Sequence, residues 1–287
     1  MRENGYLAQA KVGRNDFWRY LLVNGAVIGV SIVVSVVLVM AAFLVEGTLD
    51  YRQFSPLTML LAAMLPFPFA LLTLWIGVRF LHGRSMRSLL TVAPHIQWRR
   101  FLFSALVWFV VSGLVDGVLS LLQPGNYQFS FNLERSLPYF LVALILIPLQ
   151  TSTEELIFRG YLPQSLGLLT SGIWLPWIVP AIVFGLLHGM NPEVGLYGMA
   201  LMLPSYILMG LLLGWITLRS QGLELALGLH LANNLYAGLM VTFPGSSLTS
   251  PAIFSIREFD VLAATVGLLV SMAVYLGVAY GLGALRP

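Results

Sequence analysis

The sequence predicts an all-α, polytopic membrane protein with about eight transmembrane helices. Three observations lead there. Of 287 residues, 58% are hydrophobic and only 9% charged, where ordinary soluble domains carry about 25% charge. The mean hydropathy is +0.86, and the apolar residues gather into long uncharged runs rather than alternating. This composition excludes a soluble globular domain and a disordered chain, which needs low hydrophobicity and high charge. With no cysteine, a disulfide-stapled module, thiolate catalysis and cysteine-ligated zinc are excluded as well.

A bilayer core about 30 Å thick needs about 20 apolar residues per helix. Residues 21–45, 57–78, 101–122, 199–218 and 261–285 are clear runs of that kind, the third broken only by Asp116. Residues 137–149, 173–187 and 225–241 are weaker runs that carry or abut polar residues, as the interior of a functional bundle would. The first run exceeds the core of about 7–15 residues that a cleaved signal has, so it is read as a span. Long continuous runs also exclude a porin-like barrel, whose segments are short and alternating.

Orientation follows from the basic residues. Arg2, Lys11, Arg14 and Arg19 precede the first run; Arg79, Arg84, Arg87, Arg99 and Arg100 lie between the second and third; Arg219 and Arg286 fall on the same side. Arg52, Arg135 and Arg257 fall on the other. By the positive-inside rule both termini are cytoplasmic, which agrees with an even number of spans. Although the formal charge is +3, no basic stripe forms, and nucleic acid is not an expected partner. His82 and His95 sit among the loop arginines and are expected to be solvated. No linker, repeat or low-complexity tract divides the chain, so residues 1–287 are expected to form one membrane domain. Glycine pairs four apart (Gly25/Gly29, Gly113/Gly117, Gly210/Gly214, Gly277/Gly281) are expected at close helix crossings. Asp116 has no assigned role.

The chemistry-bearing residues lie in the weaker runs. In Thr151-Ser152-Thr153-Glu154-Glu155-Leu156-Ile157-Phe158-Arg159 two carboxylates and a guanidinium follow an apolar run directly. Each mid-membrane charge costs about 3 kcal/mol on insertion scales, so they need partners. On a helix Glu155 and Arg159 share a face one turn apart, in the favoured order for an ion pair. Glu154 is turned about 100° away and stays free. The alternative is that the fourth span ends near Gln150 and the glutamates begin a wet loop. Phe184 and His188 are one turn apart in the fifth run, and His230 and Asn234 one turn apart in the seventh. If the fourth and fifth helices form a hairpin turning near residues 170–172, Glu154 and His188 reach matching depth.

A buried carboxylate beside a histidine can hold a water and take its proton. A second histidine and an asparagine amide offer donors for the oxygen of an attacked carbonyl. The implied reaction is amide hydrolysis by water, since neither a Gly-x-Ser-x-Gly serine nor a cysteine is present. Zinc held by His188, His230 and Glu154 is the rival mechanism, although no His-Glu-x-x-His motif exists. A cofactor is not required in the preferred reading.

Glu154-Glu155-x-x-x-Arg159, Phe184-x-x-x-His188 and His230-x-x-x-Asn234, in that order, resemble the three motifs of the CPBP intramembrane protease family. That family includes type II CAAX prenyl proteases and bacterial bacteriocin-processing and immunity proteins. The resemblance covers residues 137–242, the expected catalytic core from helices four to seven. It implies a membrane endopeptidase in which Glu154 and His188 activate water, His230 and Asn234 form the oxyanion hole, and Glu155 and Arg159 orient the site, with Phe184 in support. It further implies a peptide or membrane-protein substrate and a place in the bacterial cytoplasmic membrane. The family has been described both as metalloproteases and as glutamate proteases. A non-catalytic scaffold or immunity protein of the same fold is the alternative. The motifs address the scissile bond and not a lipid, so no particular substrate follows.

Overall fold

The computed structural model describes residues 4–286; Arg2 lies outside the described residues. Each of the eight apolar runs folds as helix. They are α1 (Phe17–Glu46), α2 (Pro56–Leu81), α3 (Trp98–Leu122), α4 (Leu133–Gly167), α5 (Trp174–Leu187), α6 (Met199–Ser220), α7 (Glu224–Leu235) and α8 (Val261–Gly281). The ends follow local chemistry. Gly47, at φ +66°, closes α1 with a bond from its N–H to the Phe43 carbonyl, since glycine enters the left-handed region without steric cost. Ser55 caps α2 ahead of Pro56, Asn132 caps α4, and Asp260 caps α8 through the Leu262 and Ala263 amides.

Among the described residues, six helices are long and apolar enough to cross a membrane: α1, α2, α3, α4, α6 and α8. At 14 and 12 residues, α5 and α7 fall short of the length needed, so the count of eight spans is not reached on length. Both find their partners inside the bundle: α5 packs chiefly on α6, and α7 on α3, α4 and α6. The all-α class holds. A small three-stranded sheet accompanies the helices, in the order β1 (Tyr127–Phe129), β3 (Phe254–Ile256), β2 (Val241–Thr242). There β3 runs antiparallel to β1 and parallel to β2.

Burial ranks the helices. In its most apolar window α4 is 44% buried, while α1 and α3 are only 11% buried and present Leu21, Ile28, Val33, Leu106 and Leu114 outward. Alpha-4 is therefore the internal helix, and the outward aliphatic faces suit acyl chains. Of the four glycine pairs, Gly210/Gly214 alone sits at a tight crossing. A Cβ on Gly210 would lie 2.9 Å from the Ala181 carbonyl oxygen, and one on Gly214 2.9 Å from the Trp177 ring. At Gly25, Gly29, Gly117, Gly277 and Gly281 nothing lies within 4 Å; those faces are open. The tightest crossing is at Gly228, where α7 would bring a Cβ to 2.2 Å from the Phe101 carbonyl of α3.

His82 corrects the reading that both loop histidines are solvated. His95 is exposed, but His82 is fully buried. It donates from Nδ1 to the Arg14 carbonyl (2.7 Å) and accepts at Nε2 from the Tyr161 hydroxyl (2.8 Å). Burial lowers its pKa below that of an ordinary histidine. The chain preceding α1 folds back over this end of the bundle, burying Tyr6, Leu7 and Ala10.

Candidate active site

Alpha-4 begins as an ordinary α-helix and widens into a π-helical turn over Leu156–Tyr161, directly after Glu154 and Glu155. Alpha-7 is followed by a second such turn over Tyr236–Met240, two residues after Asn234. Such turns are rare and recur at functional sites, because the extra residue re-aims the side chains around it. Alpha-5 ends at His188, which is its C-cap.

Glu155 is fully buried. Its Oε1 accepts from Arg159 Nη1 at 2.9 Å and from His230 Nδ1 at 2.7 Å. The expected i, i+4 ion pair is thus formed, and it carries a histidine with it. Arg159 also lies over the Phe184 ring, 4.1 Å from its centroid, a cation–π contact made strong by desolvation. Phe184 is the hub of this layer, with ring centroids 4.5 Å from His188 and 5.9 Å from His230.

Glu154 sits on the other side of His230, its Oε2 3.6 Å from Nε2. That oxygen has no hydrogen-bond donor among the described residues. Glu154, His188 and Asn234 line one cavity of about 310 Å³. The three motifs therefore meet, from α4, α5 and α7, although they are spread over some eighty positions of the chain.

The hydrogen bonds fix two tautomers. His188 Nδ1 faces the Phe184 carbonyl at 2.7 Å. A carbonyl accepts, so Nδ1 carries the hydrogen and Nε2 keeps a lone pair. His230 Nδ1 faces a carboxylate already engaged by arginine, so Nδ1 is again protonated. The neutral His230 ring then offers a lone pair at Nε2, and it donates there only as imidazolium. The expectation that His230 and Asn234 both offer donors is refined by this: in the neutral ring state Asn234 donates and His230 does not.

Several polar residues of the site escaped the motif reading. Gln150 lies one turn before Glu154 and accepts from Asn234 Nδ2 at 2.9 Å. Asn233 donates to Asn234 Oδ1 at 3.1 Å and accepts from the Trp108 indole at 3.2 Å. Tyr206 of α6 stacks on the His188 ring at 4.3 Å and donates to Glu193, which also accepts from Asn191. Gln150 and Asn233 were within reach of sequence: one is i−4 from Glu154 and the other adjoins Asn234. Glu193 and Tyr206 carried no spacing signal. Asp116 accepts from the Tyr127 hydroxyl at 2.7 Å and lines a separate cavity.

Among the described residues, no group of three or more His, Cys, Asp or Glu side chains is arranged to hold a metal ion. The Nδ1 bonds of His188 to a carbonyl and of His230 to Glu155 leave both Nε2 lone pairs free, an orientation that a zinc-ligating histidine also takes, so zinc held by His188, His230 and Glu154 stays the rival reading.

Comparison with known proteins bears out the resemblance read from the motifs. Residues 132–236 match the family described as Rce1-like, type II CAAX prenyl endopeptidase. The chain is also similar to the uncharacterized protein YyaK of Bacillus subtilis (strain 168), with 29% identity over 256 residues, covering 86% of this chain and 85% of that protein. No solved structure matches.

Proposed function

We propose that this protein is an intramembrane endopeptidase that hydrolyses a peptide bond with a water activated by Glu154 and His188. The observation that carries the reading is the shared cavity of Glu154, His188 and Asn234. The match of residues 132–236 to a prenyl endopeptidase family supports a hydrolase acting on a peptide substrate in the bilayer.

In this reading the water lies between the free Glu154 carboxylate and the His188 Nε2 lone pair, two bases of which one takes its proton as the oxygen attacks the carbonyl carbon. The carbonyl π pair moves to oxygen, and the second N–H of the Asn234 amide donates to it. Preorganised donors act strongly in a cavity shielded from bulk water. The proton then passes to the leaving nitrogen as the C–N bond breaks. Glu155, itself paired with Arg159, holds His230 beside Glu154, and Phe184 packs against both His188 and His230. No step runs through a metal. The domain is a single membrane unit, set in the bacterial cytoplasmic membrane with both termini on the cytoplasmic side.

The test is cleavage of membrane peptides by the purified protein in lipid vesicles. Glu154→Gln should abolish cleavage while leaving insertion and thermal stability nearly unchanged. A scaffold would keep its phenotype in that variant. Activity that survives complete chelation supports the glutamate mechanism, and activity restored only by zinc overturns it.

A further inference from the structure

A chain of four side chains ends in an uncommitted donor inside the proposed catalytic cavity. It starts at Trp108 of α3, which is 1% exposed. The indole N–H donates and cannot accept, so its 3.2 Å contact requires Asn233 to present its oxygen. The Asn233 amide nitrogen then donates to Asn234 Oδ1. Asn234 must turn its own nitrogen the other way, where it donates to Gln150 Oε1. One donor-only group at the start thus fixes the orientation of three carboxamides that could otherwise flip.

The last of these is Gln150. It is buried, at 5% exposure, and lines the same cavity as Glu154, His188 and Asn234. Its position one turn before Glu154 puts both on one face of α4. Since its oxygen is taken by Asn234, its Nε2 is the group left over, with two N–H bonds and no hydrogen bond to any described residue. The Gln150 amide is not a fully buried unpartnered group: it faces the cavity that Glu154 also lines, where a substrate acceptor brought from outside can reach it. His230 cannot fill the donor role in its neutral state, which leaves the Asn234 amide short of a companion.

We propose that Gln150 is a further catalytic residue, whose Nε2 donates to the substrate carbonyl oxygen as it takes on charge, and that Trp108 and Asn233 are positioning residues acting through the amide chain. The inference rests on the peptidase reading above. Gln150 transfers no proton. As the water oxygen bonds to carbon and the π pair moves to oxygen, the Gln150 and Asn234 N–H groups hold that oxygen until the pair returns and the C–N bond breaks.

The experiment measures kcat and KM separately in lipid vesicles, on a peptide that wild type cleaves and Glu154→Gln does not. Gln150→Glu keeps an oxygen for Asn234 but replaces the donor with an acceptor; Gln150→Met removes both at similar size. Loss of one oxyanion donor costs about 10²–10³ in kcat, and that loss is expected in both variants with KM nearly unchanged. Trp108→Phe keeps the aromatic packing, and a smaller fall in kcat with KM unchanged is expected. A second measurement does not depend on turnover: a phosphinate replacing the cleaved bond should bind the Gln150 variants about as much weaker as kcat falls, while the uncleaved peptide binds equally to all. Folding is checked by thermal unfolding, and should Gln150→Glu not fold, Gln150→Met carries the comparison. Wild-type kcat in a folded Gln150 variant, or equal loss of phosphinate and peptide binding, overturns the inference and leaves the peptidase reading intact. Absence of any Glu154-dependent cleavage overturns both.

Discussion

Two adjacent glutamates on one helix end in different surroundings because a helix turns about 100° per residue. Glu155 is held by Arg159 and His230 with no exposure, while Glu154 borders the cavity with one oxygen lacking a donor. The two should therefore fail differently. Glu155→Gln or Arg159→Ala strands a buried charge and should lower stability by about 3–5 kcal/mol, measured as a fall in the unfolding midpoint in detergent. Glu154→Gln should leave that midpoint almost unmoved. Equal destabilisation by both glutamate variants would contradict this division of labour. The Glu155–Arg159 pair was legible in sequence, because i, i+4 spacing and the cost of burying charge each require it. His230 as the third member was not legible: its Nδ1 contact with Glu155 spans 75 positions, and only the packing of α7 against α4 creates it.

At the scale of elements, the crossing of α5 and α6 sets where His188 sits. Gly210 meets the Ala181 backbone, so Gly210→Ala has no flexible side chain to push aside. It should cost about 1–3 kcal/mol and lower activity by displacing His188 and Tyr206. Gly277→Ala is the matched control: with nothing within 4 Å, it should be neutral or gain a few tenths of a kcal/mol from helix propensity. Similar losses in both variants would show that spacing of small residues, rather than the observed crossing, governs packing. All eight helices were legible as apolar runs, because lipid demands unbroken helical stretches. Which glycine pair faces a neighbour was not, since Gly210/Gly214 and Gly277/Gly281 are identical in spacing. The π-helical turns after Glu155 and Leu235 left no trace in residue type, because no residue type marks a single wide turn as proline or glycine marks a kink.

For the whole molecule, His82 links the segment before α1 to the ends of α2 and α4 through Arg14 and Tyr161. Its pKa is lowered by burial, so between the folded value and the ordinary value of about 6.5 the unfolded chain binds the proton and the folded chain does not. Stability should therefore fall as pH drops below about 6.5. The drop in unfolding midpoint between pH 7.5 and 5.5 should shrink in His82→Gln; an unchanged pH response would refute the link. The basic loop residues were legible as a side preference and predict that reporter fusions at both termini read out on the cytoplasmic face, whereas opposite readouts would break the even count of crossings. A histidine among loop arginines looks solvated in one dimension, and only the folding back of Tyr6 and Leu7 over it shows otherwise. The central claim, that polar side chains from α4, α5 and α7 come together to cut a peptide, is tested most directly by comparing membrane peptides from cells carrying wild type or Glu154→Gln at matched abundance. Cleavage products found with wild type and missing with the variant are expected; the same products from both would contradict it.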